Sequence, residues 1–147
     1  MTSNLSSSLE ALIDEAVALF HRMRVVAEEV HGQGEFSAAR RGVLRSLARL
    51  GPQTVPQIAS ARPVSRQHIQ TIVDELAADG LVETIDNPAH RRSVLVRLTT
   101  RGRAAVRDIA RREAALLASI DVGVSAADVD RATTVLKRFR EGLEKRS

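Results

Sequence analysis

The sequence predicts a mainly α protein with one small β-hairpin, and three observations carry that expectation. Apolar residues recur at helical spacing through both ends of the chain, a helix-turn-helix pattern fills its middle, and a period-two apolar run follows that pattern at once. The expected architecture is a helix-turn-helix domain completed by the hairpin over residues 37–103. Helical segments 1–36 and 104–147 are expected to form a dimerisation region.

The first helix is read from "LEALIDEAVALFHRMRVVAEEVHG", where Leu9, Leu12, Ile13, Ala16, Leu19, Phe20, Met23, Val26, Ala27 and Val30 keep one apolar stripe up to Gly32. Ser37 can cap a second helix that runs to Gly51 and points Val43, Leu44, Leu47 and Leu50 inward. Gly42 is an unfavourable residue inside that helix. A short third helix starts at Thr54, with Pro56 in its first turn and Gln57 completing a capping box. Pro63 forces it to stop by Arg62. Ser65 then caps a fourth helix whose Ile69, Ile72, Val73 and Leu76 make an inner stripe, ended by Gly80.

After Gly80 the apolar period changes to two. "LVETI" and "VLVRL" read as strands around the loop "DNPAHRRS", with Val94, Val96 and Leu98 on one face. A hairpin directly after a helix-turn-helix makes a winged helix, an ordering much more specific than either part. Thr99 or Thr100 can cap the next helix, which holds Ala104, Ala105, Val106, Ile109, Leu116, Leu117 and Ile120 and is broken at "DVGVS". Ser125 with Asp128 opens the last helix, striped by Val129, Ala132, Val135, Leu136, Phe139 and Leu143.

Composition and charge narrow the function. The 147 residues are 44% hydrophobic and 27% charged, a globular balance. No apolar run is long enough to span a membrane, and the N-terminus lacks the features of a signal peptide, so a cytoplasmic protein without a membrane partner is expected. Without cysteine there is no disulfide, thiolate metal site or thiol redox sensor. The net charge of +4 is uneven: residues 1–39 hold two Arg against six acids, 40–112 fourteen Arg against six, and 113–147 six basic residues against six. That basic middle points to a polyanion, or else to an arginine-rich solvated surface. With no Trp or Tyr and only Phe20, Phe36 and Phe139, stacking platforms for single strands are lacking, which favours duplex DNA.

"GPQTVPQIASARPVSRQHIQTIVDELAADGLVE" followed by "NPAHRRSVLVRLTTRGRAAV" resembles the DNA-binding core of the MarR family of bacterial transcription factors. The resemblance implies a homodimer on a pseudo-palindromic duplex site, usually a repressor and often released by a small-molecule effector. It places the recognition helix at Ser65, Arg66, Gln67, His68, Gln70 and Thr71. The wing contacts fall at His90, Arg91, Arg92 and Ser93, with one arginine entering the minor groove. Thr99 and Gly102 match the threonine and glycine that end the family's wing. The chain departs from the pattern at His90, where many members carry an aspartate that braces an arginine. Either Asp86 supplies that brace, or His90 meets phosphate directly.

Rival classes are less well supported. The four histidines, His21, His31, His68 and His90, are scattered, and no catalytic or phosphate-loop motif accompanies them, so neither an enzyme nor a metal or other cofactor is expected. A helical interaction protein, or a nucleoid-associated protein with non-specific DNA affinity, is the alternative.

Overall fold

The computed structural model describes residues 2–32, 37–62 and 64–146. The stop expected at Pro63 and the domain boundary expected after residue 36 involve residues outside that set. The elements are α1 (Thr2–His31), α2 (Ala38–Leu50), α3 (Val55–Ser60), α4 (Arg66–Ala78), β1 (Val82–Asp86), β2 (Val94–Leu98), α5 (Thr100–Ser119) and α6 (Ala126–Glu144). The mainly helical expectation with one antiparallel hairpin is met. The chain divides into two units, Met1–Ala115 and Leu116–Ser147.

Helix ends follow the capping residues. The side chains of Ser37, Thr54, Ser65 and Ser125 each accept the backbone N–H three residues on, and Thr54–Gln57 and Ser125–Asp128 close reciprocal boxes. At the end of α4, Gly80 takes φ +72°, a conformation that favours glycine, so that Leu81 N–H reaches Leu76 O at 2.9 Å and Gly80 N–H reaches Ala77 O at 3.0 Å. Leu76 and Leu81 are both fully buried, which supplies the apolar contact of that turn. Helix α1 begins well before Leu9. Ser8 folds its hydroxyl onto Asn4 O at 2.9 Å, so the serine-rich start is accommodated inside the helix.

One core holds the first unit together. Val43, Leu44 and Leu47 of α2 and Ile58 of α3 meet Ile69, Ile72, Val73 and Leu76 of α4, with Leu81, Val82, Val96, Leu98 and Ile109 closing the cluster. Each such side chain taken out of water stabilises the fold by about 1.5–3 kcal/mol. The strands pair antiparallel with Val82 opposite Leu98 and Asp86 opposite Val94. Gln53 adds a one-residue third strand, exchanging backbone hydrogen bonds with Val96 at 3.0 and 2.7 Å.

Three expectations for apolar residues are corrected. Leu50, the last residue of α2, is 57% exposed, and Val94, at the loop end of β2, is 49% exposed, because the core ends one turn and one strand repeat earlier. Ile120 lies past the end of α5 and is also exposed. The first half of α5 belongs to the core through Ile109, with Ala105 and Val106 packed against it.

Candidate nucleic-acid interface

The outer face of α4 is built by the same period that buries its inner stripe. Ile69, Ile72, Val73 and Leu76 are buried, which leaves Arg66, Gln67, His68, Gln70, Thr71 and Asp74 exposed. Ser65 is committed to the cap, accepting His68 N–H at 3.1 Å. Gln70 donates to Asp74 Oδ1 at 2.8 Å, and the Thr71 hydroxyl donates to Gln67 O at 3.1 Å. Arg66, Gln67 and His68 make no side-chain bond to another described residue, so the first turn of α4 carries its uncommitted donors. That turn is also the positive end of the helix dipole.

The two ends of α4 are tethered to α2. Arg40 pairs with Asp79 at the C-terminal cap, and Arg62, just before α4, donates to Gly42 O. A β-carbon on Gly42 would meet the end of the Arg62 side chain, which would have to shift to make room. Arg40 and Arg41 are buried, and burial pushes the Arg41 and Arg62 guanidinium pKa values down from the ordinary arginine value. Arg40 and Arg41 belong to the scaffold, so the basic excess of the middle segment overstates the charge offered to a partner.

The wing is pinned at its base and open at its tip. Thr99 N–H donates to Leu81 O at 3.1 Å, its hydroxyl donates to Gly80 O at 2.6 Å, and Thr99 Oγ1 in turn accepts Gly102 N–H at 3.0 Å. Gly102 is buried, and a β-carbon there would strike the Leu81 carbonyl. On the outer face Arg97 Nε meets Glu83 Oε1 at 2.9 Å across the strands. At the tip Asn87 organises the loop, accepting Ala89 N–H and donating to Ser93 Oγ, both at 3.1 Å. Ser93 is thereby part of the loop's framework. His90, Arg91 and Arg92 are exposed, and neither arginine has an ion pair among the described residues. Asp86 does not brace them.

The described residues contain no group of three or more His, Asp or Glu able to hold a metal ion, and no helix is long and apolar enough to cross a membrane. Sequence reading missed Gln53, which is buried and donates to Ser46 O and Ser46 Oγ at 3.2 Å, and the Arg40–Asp79 and Arg62–Gly42 tethers.

Comparison with known proteins gives a consistent picture. A family model described as MarR family matches residues 36–93. An uncharacterized protein of Mycobacterium tuberculosis is 35% identical over 105 residues, covering 67% of this chain and 73% of its own. Among solved structures, a MarR family transcription regulator superposes with TM-score 0.79 at 27% identity, over 99% of this chain and 98% of that one. FabT of Streptococcus pneumoniae, solved in complex with DNA, gives TM-score 0.76 at 21% identity, over 95% and 99% of the two chains.

Proposed function

The chain belongs to the MarR family, with the winged-helix fold of its transcription regulators, and from that premise we propose that it is a sequence-specific regulator of duplex DNA. It acts in the cytoplasm as a homodimeric repressor on a pseudo-palindromic operator and is released by a small-molecule ligand. Residues 37–103 are its DNA-binding domain, and 1–36 with 104–147 its dimerisation region.

The observation that carries this reading is one core anchoring two exposed basic elements in succession, the first turn of α4 and the tip at 90–92. Arg66, Gln67, His68, Gln70 and Thr71 read base edges and phosphates in the major groove, with Ser65 setting the start of their helix. Gln70 can do so with its second amide N–H and its Oε1, since one N–H is held by Asp74. One of Arg91 and Arg92 enters the minor groove, where a narrow wall concentrates negative potential, and His90 meets phosphate beside it. Ser93 holds the loop in shape for that contact.

Selection of bound sequences from a random duplex pool tests class and symmetry together. The expected product is a palindrome whose half-sites stand about one helical turn, roughly 10 bp, apart. Replacing Arg91 with Ala is expected to weaken binding to that site and lower the slope of log affinity against log salt by about one, with the dimer intact. A pool without symmetry, bound as well as random DNA at matched salt, would instead make this a non-specific nucleoid protein.

A further inference from the structure

A second basic site lies off the recognition helix and wing. Gly42, Arg45, Ser46 and Arg49 of α2, with Ala61 and Arg62 after α3, line a surface cavity of about 240 Å³. Three guanidinium groups border it and no carboxylate does. Arg45 turns to both oxygens of Glu113, at 2.7 and 2.9 Å, whereas Arg49 and Arg62 have no ion pair among the described residues.

The arrangement is costly as it stands. Arg62 is half-buried and is held against the Gly42 carbonyl, so it cannot swing away from its neighbours without losing that bond. Burial, then the charges of Arg45 and Arg49, disfavour its ionised form. A guanidinium does not shed its proton in a protein, so an anion is the available remedy. The lining offers planar donor forks, a hydroxyl and two small residues, and no large apolar side chain.

We propose that this cavity is an oxyanion site for a phosphate group, with Arg49 and Arg62 as its donors and Arg45 shared between the anion and Glu113. Paired N–H forks match phosphate oxygens in spacing and charge. The phosphate group comes from the DNA backbone beyond the recognition surface or from a free phosphorylated molecule. None of the six lining residues lies in α4 or the wing, so the site stands or falls apart from the DNA reading above.

The test is thermal melting of the full chain and of Arg49→Gln, an exposed substitution of similar helix propensity. Melting is followed in inorganic phosphate and in chloride at matched ionic strength. In chloride the variant is expected to melt at or above the wild type, because one of three like charges has gone. When phosphate reaches about ten times its dissociation constant the wild type is expected to gain roughly 3–6 °C over the variant, with Arg49→Lys recovering part of the gain. Parallel shifts in wild type and Arg49→Gln, the general effect of an excluded salt, would overturn the site. Duplex binding against salt then separates the sources. A slope lower by about one in Arg49→Gln assigns the phosphate to the DNA backbone, and an unchanged slope assigns it to a free molecule.

Discussion

His31, the last residue of α1, has a side chain only 1% exposed and sits with Nε2 3.4 Å from Glu113 Oε1 of α5, oriented short of a hydrogen bond. Burial lowers its pKa from the ordinary 6.5, Arg41 and Arg112 push the same way, and Glu113 opposes them. The unfolded chain therefore takes up a proton below pH 6.5 that the folded chain still refuses. In that window the unfolded state binds more protons, so stability falls as pH falls, and the loss is complete once the folded group also ionises. Urea unfolding of wild type and His31→Gln at about pH 7.5 and 5.5 is expected to show a smaller acid loss in the variant. Superimposable pH profiles would remove His31 from the explanation. The buried Arg40 and Arg41 make a related point about charge: a residue count assigned them to solvent, and the fold assigned them to its scaffold.

At the scale of elements, the wing is held by a close approach of backbones at Gly102. Gly102→Ala places a methyl against the Leu81 carbonyl, and the first turn of α5 must move off the hairpin base. The expected cost is about 1–3 kcal/mol, read as a lowered denaturant midpoint with unchanged slope. A midpoint equal to wild type would mean that the turn adapts freely. Which elements the sequence could reveal follows from the range of the forces involved. The helices around residues 54–79 and the paired strands were legible because caps, the Gly80 turn and apolar periods are decided within a few residues. The face of α4 was legible for the same reason, since burial of Ile69, Ile72, Val73 and Leu76 dictates what remains outside. Gln53, Arg40 and Arg62 were not. Their partners lie far along the chain at Val96, Asp79 and Gly42, and a local pattern carries no trace of such pairings. The exposure of Leu50 and Val94 was missed because periodicity gives a direction without saying how far the core extends.

Across the whole molecule, apolar side chains outnumber the places one copy offers to bury them. Leu19, Phe20 and Met23 on α1 and Val129, Val135 and Leu136 on α6 are each 42–60% exposed, and no described residue of α6 is buried. On the proposed reading a second copy covers such surfaces. Leu136→Glu is expected to shift sedimentation toward the monomer and weaken operator binding, while the helical circular dichroism is retained. A variant that stays dimeric would exclude this part of α6 from the interface. The pinned base of the hairpin bears on how such a protein diversifies. Because Thr99 closes the segment onto Gly80 and Leu81, the loop at 87–93 is a bridge between two points already fixed. Doubling such a loop adds only about 0.6 kcal/mol of closure entropy. The length and charge of the tip can therefore drift between lineages with little effect on the core, so that target preference and foldability are free to evolve separately.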